Sequence, residues 1–479
     1  MSAPLKLFDS LTRSVREFAP IQPGHARVYS CGPTVYHYAH LGNLRAYIFT
    51  DTLTRALRWK GLEVTHVINI TDVGHLTSDA DAGDDKMAVA AAREAKTIWD
   101  VARFYTDAFM RDVAALNIVE PTRWSVATDH IPEMIAFATR IAPKHCYEIE
   151  TGLYFDSTTV ADYGRLAGAR GDVREARIDE LTGKRHPSDF AIWRKSPPGE
   201  QRQMEWDSPW GKGAPGWHLE CSVMSQKYLG DQFDIHTGGI DHREIHHPNE
   251  IAQNQAATCS SATGANWWMH NNFLVDRTAK MSKSSGEFLT LQSIVDKGIH
   301  PLAYRLMCLQ AHYRSELEFS WDNLLAALTR LKRMVIAVEK LRELTETRPN
   351  GNPVASAGFS EALDEEISDD LNTSNVISML DIVFGRSDLK PSDRIELVGR
   401  FDELTGMNLV GLARVDLRIR PASATLTKPE IEARLTTRKA ARAAKDFTTS
   451  DRIRDELAAA GVEVMDGDPL GWDWKLSVG

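Results

Sequence analysis

Apolar positions along the first hundred residues change rhythm twice. Ala26–Ser30, "ARVYS", alternates over a strand's length and is broken by Gly32 and Pro33. From Leu44 the spacing becomes helical: Leu44, Ile48, Leu53, Leu57 and Trp59 share one greasy side, and Gly61 offers a stop. "EVTHVINIT" follows, rich in β-branched residues, and predicts a second strand. Such a βαβ unit presents ligands at the carboxyl ends of its strands, which places Cys31, "HLGN" (His40 to Asn43) and Thr71 on one rim. Between about Pro121 and Trp206 no clean period survives. The α/β alternation returns with a helix over "WHLECSVMSQKYL", a strand at "FDIH", a turn at "TGG", a helix over "NEIAQNQAAT" and a buried strand at "WWMHNNFLV". Beyond these, Leu324, Leu328, Leu331, Val335, Val338, Leu341 and Leu344 follow the three/four spacing of a long bundle helix. More helices run to about Leu412, and "RIRPASATLTKPE" reads as a linker to a last small unit.

A chain of 479 residues is too long for one core, and 43% hydrophobic with 25% charged residues is the balance of a soluble globular enzyme. No run of eighteen apolar residues occurs, and the start lacks a signal-peptide core. Five scattered cysteines argue against a disulfide scaffold and for a reducing cytoplasm; Cys146, Cys259 and Cys308 sit in apolar company and read as small core residues. A net charge of −10 excludes whole-surface binding to nucleic acid but leaves room for a local basic patch. "RKAARAAK" supplies one, with Arg438, Lys439, Arg442 and Lys445 along a helix, although a solvated face explains such a run equally well. Near the end, Trp472 and Trp474 are expected to stack on unpaired bases.

The densest chemistry lies in "DHREIHHPNE". A polar helix start accounts for that composition by itself. Pro248 suits a first turn, which sets His246 and Glu250 four apart on one face with His247 pointing elsewhere. Cys31 and Cys221 come from elements whose ends meet the same rim, and two thiols, an imidazole and a carboxylate suit zinc. Paired C-x-x-C knuckles are absent, so spacing alone is weak. "AKMSKSSGE" puts Lys280 and Lys283 just beyond a strand, where two ammonium groups can neutralise phosphate oxygens. "GKGAPG" fits G-x-G-x-x-G, but Pro215 and the lack of a preceding strand mark it as a loop leading to Trp217.

"HLGN" after "CGPTVYHYA", with "KMSKS" downstream, resembles the class I aminoacyl-tRNA synthetases. "CGPTVY", "NITD", "PGWHLECS", "FDIHTGGIDH", "HHPNEIAQ", "HYRSELEFS" and "DDLNT" narrow the likeness to the cysteinyl-tRNA synthetase family, from Leu7 to the C-terminus. The resemblance implies an α/β Rossmann-type catalytic core split by an α+β insertion, then an α-helical bundle and a small C-terminal α+β unit. The expected division is 1–120 and 207–320 for the core halves and 121–206 for the insertion. The bundle takes 321–415, the linker 416–425 and an anticodon-recognition unit 426–479. It implies zinc on Cys31, Cys221, His246 and Glu250. ATP would meet His40, Asn43 and Lys283, with Lys280 assisting catalysis and Mg2+ on the phosphates. Thr71, Trp217, His236 and Asp241 would form the cysteine pocket, Asp241 on the ammonium group and Trp217 and His236 around the thiol. Arg438, Lys439, Arg442, Lys445 and Trp474 would face tRNA(Cys).

The expected reaction is ATP-dependent attachment of L-cysteine through cysteinyl-adenylate, by a cytoplasmic monomer with no membrane contact and no editing domain. Two other readings stand beside it: a cysteine:amino-sugar ligase of mycothiol type, and a non-enzymatic tRNA-binding paralogue. Asn43 departs from the family's more usual histidine, and "SSGE" and "GHLTSDADAGDDKM" depart from its commoner segments.

Overall fold

The structure is a computed structural model that describes residues 2–73, 86–94, 96–168, 183–197, 199, 202–275, 289–347 and 357–476. Its centre is a five-stranded sheet in the order Ala265–Asn271, Phe233–Gly239, His25–Ser30, Glu63–Ile70, Arg123–Val126. Every pairing is parallel. The central strands are buried on both faces, as a parallel sheet requires, with Val28, Tyr29, Ile235 and Phe233 at or near zero exposure. Chain order runs outward on one side of His25–Ser30 and resumes on its other side. The reversal lies between His25–Ser30 and Phe233–Gly239, and open α/β sheets take their ligands at the carboxyl ends beside such a switch point.

The helix after the first strand spans Leu41–Trp59 and begins in a capping box. His40 Nδ1 accepts from the Asn43 amide and Asn43 Oδ1 accepts from the His40 amide, both at 3.2 Å. "FDIH" extends through "TGG", so the expected turn is the strand's own end.

The insertion differs at both expected borders. Arg123–Val126 pairs with Glu63–Ile70 and so belongs to the central sheet. A helix, Ile131–His145, leads into a separate antiparallel sheet of Cys146–Ile149, Gly152–Phe155, Phe190–Lys195 and Gly213–Pro215. "GKGAPG" therefore contains a strand, not only a loop. A Cβ on Gly213 would lie 1.9 Å from the Arg194 carbonyl oxygen, and one on Gly216 2.0 Å from that of Ala191. Close approach to the neighbouring strand explains these glycines without any phosphate.

The bundle is built from Pro301–Leu309, Trp321–Thr347, Ala357–Ser368, Thr373–Gly385 and Pro391–Thr405. The expected stripe on Trp321–Thr347 is buried from Leu324 to Leu341, but Leu344 is 44% exposed. The last unit pairs Lys428–Ala443 with Phe447–Ala459 and adds two short antiparallel strands, Val462–Val464 and Trp472–Trp474. It has its own core of Leu426, Ile431, Ile453, Leu457, Val462, Trp472 and Trp474.

Candidate functional site

Cys31 follows the first strand, Cys221 lies on Trp217–Leu229, and His246 and Glu250 sit on the first turns of His246–Thr258. The sheet's reversal brings these ends together. One ligand atom from each of the four lies within 4.8 Å of the others, and all four residues are buried. Glu250 Oε2 is bonded to His236 Nε2 at 2.9 Å. Glu250 Oε1 lies 3.1 Å from His246 Nε2, an ion-pair distance, but no well-aligned hydrogen bond closes on this buried oxygen. A buried carboxylate oxygen without a well-aligned hydrogen bond, beside two thiols, suits a cation.

The electrostatics agree. Burial opposes ionisation of Glu250, yet His236 and His246 hold its carboxyl at about 2. Burial also opposes a thiolate at Cys221, but the hydrogen bond from Cys31 and the His246 imidazole bring that thiol to about 6. Cys31 is pushed well up, by burial first and then by Cys221. His246 rises to about 10: burial disfavours its charge, and Glu250 and Cys221 outweigh burial.

Beneath these residues runs a histidine network that sequence reasoning missed. His218 Nδ1 lies 2.9 Å from His246 Nδ1, which leaves His246 Nε2 toward the thiols. His247, expected to point elsewhere, has Nε2 3.3 Å from Cys31 Sγ and Nδ1 2.8 Å from His270 Nε2. The helix start abuts Cys31 so closely that two successive residues reach the same cluster. Cys31, His236, His247 and Glu250 consequently form a second quartet with metal-ligand spacing. The doubled histidine of "HHPNE" was the available signal.

A cavity of about 640 Å³ opens above the cluster, within the range of small-molecule sites. Cys31, Cys221 and His246 form its floor side, Trp217 and Asp241 line it, and His40 and Asn43 stand at another wall. Trp217 stacks on His246 with ring centroids 4.2 Å apart. Asp241 keeps 64% of its side chain exposed. Thr71 and His236 are not among the lining residues. The Thr71 hydroxyl donates to Glu220 at 2.8 Å and accepts from Asn69, while His236 backs Glu250. Lys280 and Lys283 lie outside the described residues. The chain after them returns to Leu41–Trp59, the signature helix that "HLGN" opens, where the Leu41 amide donates to the Leu289 carbonyl at 2.8 Å.

The expected RNA face needs correction at two residues. Trp474, 6% exposed, packs inside its unit against Ile431, Leu457 and Trp472 and presents no face for stacking. Arg438, 5% exposed, makes a two-pronged pair with Asp466 at 2.6 and 2.7 Å, and Arg442 joins the same carboxylate. Lys439 and Lys445 are exposed. Two of the cysteines read as core residues also differ: Cys308 is buried, Cys146 is half-buried, and Cys259 is exposed at a helix end in the left-handed conformation.

Residues 17–329 match the family of tRNA synthetases class I (C) catalytic domains, and 426–469 match the cysteinyl-tRNA ligase anticodon binding domain. The chain is 62% identical to the cysteine–tRNA ligase of Novosphingobium aromaticivorans, covering 99% of this chain and 98% of that one. It is 54% identical to the cysteine–tRNA ligase of Zymomonas mobilis, over 99% and 98%. Among solved structures it resembles Mycobacterium tuberculosis methionyl-tRNA synthetase in complex with methionyl-adenylate. That likeness has a TM-score of 0.54 and 15% identity, covers 83% of this chain and 90% of that one, and concerns the fold alone.

Proposed function

The chain belongs to the cysteine–tRNA ligase family, and from that membership we propose that its cavity recognises L-cysteine through a zinc ion held by Cys31, Cys221, His246 and Glu250. It is a ligase that joins L-cysteine to tRNA with ATP, by way of cysteinyl-adenylate. The amino-sugar ligase and the non-enzymatic paralogue are not favoured, since relatives named for the tRNA reaction match the whole chain, anticodon unit included.

The observation that carries the zinc reading is the buried cluster of two thiols, an imidazole and a carboxylate, of which Cys31, Cys221 and His246 line the cavity and Glu250 keeps one oxygen without a well-aligned hydrogen bond. The overlapping quartet is less suited, because His236 and His247 do not line the cavity and only one thiol belongs to it. Bound there, zinc supplies a soft Lewis acid on which a thiol, with an unperturbed pKa of about 8.5, ionises readily while a hydroxyl gains little. Asp241, exposed at the cavity wall, would pair with the substrate's ammonium group, and Trp217 would border its side chain. His236 and Thr71 act from behind, the first by orienting Glu250 and the second by fixing Glu220.

In the first step the cysteine carboxylate attacks the α-phosphate of ATP and pyrophosphate leaves; in the second the acyl group passes to the tRNA's terminal ribose. His40 and Asn43 would bind phosphate at the start of Leu41–Trp59, where the positive end of the helix dipole favours anions. Lys280 and Lys283 would neutralise the departing charge, and Mg2+ would enter with the nucleotide. Lys439, Lys445 and Arg442 would meet tRNA(Cys). The enzyme would work as a cytoplasmic monomer.

Cysteine-dependent exchange of pyrophosphate into ATP, together with zinc analysis, tests this reading. Wild type is expected to carry one zinc per chain, whereas Cys221→Ala loses it and accepts serine far more readily relative to cysteine. Full zinc content and unchanged selectivity in that variant would contradict it.

A further inference from the structure

We propose that Arg45 is a positioning residue for the ATP-dependent step, holding the cavity wall Asn272–Leu274 against the helix that carries His40 and Asn43. The inference rests on the proposed function and adds a residue to it. Arg45 lies in the second turn of Leu41–Trp59 and is 2% exposed. Its Nη1 donates to the carbonyl oxygens of Asn272 at 2.8 Å and Phe273 at 2.5 Å. Its Nη2 donates to Ser315 O at 2.6 Å and, more loosely, to His312 O at 3.4 Å.

Among the described residues no carboxylate pairs with it. The contrast is Arg305, equally buried and paired with Asp51. Arg45 is satisfied by peptide carbonyls from two separate segments, which makes it a clamp on backbone position.

What it clamps faces the reaction. Asn272, Phe273 and Leu274 line the same cavity as Gly42 and Asn43, and a Cβ on Gly42 would lie 3.9 Å from Leu274 Cβ. Phe273 O also accepts from the Leu317 amide, and Leu274–Val275 pairs with Leu317–Glu318. Arg45 thus fastens a two-strand ribbon to the first turns of the signature helix and fixes where its cavity-lining residues stand relative to His40 and Asn43. A planar fork with fixed donor directions does this; a lysine, with one nitrogen, cannot hold both segments at once.

The test is pyrophosphate exchange by the full-length zinc enzyme carrying Arg45→Lys, with active sites counted by single-turnover adenylate formation. Per active site, kcat/KM for ATP is expected to fall at least tenfold, while KM for cysteine and bound zinc stay within twofold. Per-site constants within twofold of wild type, whatever the loss of thermal stability, would overturn the proposal, as would an equal effect on cysteine. Should that variant not fold, Asn272→Ala cuts the companion tie from Asn272 Nδ2 to Arg314 O, 2.9 Å long. At least a threefold fall in kcat/KM for ATP is then expected, and an unchanged value overturns the role. A wild-type enzyme without exchange would instead refute the proposed function, leaving the clamp unneeded.

Discussion

Cys31 and His246 hold protons at neutral pH without metal, since the first is pushed well up and the second to about 10. Cys221, at about 6, and Glu250, at about 2, have already lost theirs. Zinc needs all four deprotonated, so its binding between pH 7 and 9 expels about two protons. Affinity measured by chelator competition is therefore expected to rise about a hundredfold per pH unit across that window. It should rise more steeply below pH 6, where Cys221 must also give up a proton. A slope near zero would mean the ligand set is wrong. The four residues were readable as sequence because each stands in a short, chemically loaded stretch. His218 and His270 were not, since a single histidine in an apolar segment looks the same whether it caps, packs or supports a ligand. Trp474 was misread for the opposite reason: tryptophans in a polar tail look exposed, and only the packing of Leu457 and Ile431 against them tells otherwise.

The signature helix is held by two buried arginines, its own Arg45 near the start and Arg305 of Pro301–Leu309, which meets Asp51 near the middle. Arg305 donates to Asp51, to the Thr405 carbonyl at 2.6 Å and to that of Leu116 at 2.9 Å. Burial would raise the Asp51 carboxyl, and Arg305 and Arg55 hold it below its ordinary value. Removing Arg305 leaves the buried Asp51 carboxylate to Arg55 and takes away the ties to the Thr405 and Leu116 carbonyls. Arg305→Leu is expected to cost about 3–5 kcal/mol in urea unfolding; a loss below about 1 kcal/mol would show that the pair does not join helix to bundle. Periodicity predicted the strands and helices of the central sheet, because burial on one stripe or both faces leaves a mark in residue order. It failed at Arg123–Val126, where four residues give too short a window, and at "GKGAPG", where glycines read as turn signals permit tight strand approach.

At the scale of the molecule, the C-terminal unit has a core separate from that of the catalytic sheet, with Leu476 packed against both and polar ties beside it. Arg414 grips Asp468 at 2.7 and 2.9 Å, and Lys332 meets Asp473 at 2.6 Å. Trp474→Ala should cost that unit about 3–5 kcal/mol. It should therefore depress tRNA charging while cysteine-dependent pyrophosphate exchange persists; equal loss of both would mean the two parts fold as one. The proposed division of labour rests on that separation, which composition suggested through the linker and the basic helix. The claim beneath all of these is that a metal on the cavity floor contacts the substrate's sulfur. Cobalt(II) in place of zinc tests it most directly, because each added thiolate strengthens the sulfur-to-metal absorption in the near ultraviolet. Titration with L-cysteine should strengthen and shift that absorption, and titration with L-serine should leave it unchanged. Identical spectra with and without saturating cysteine would contradict the account.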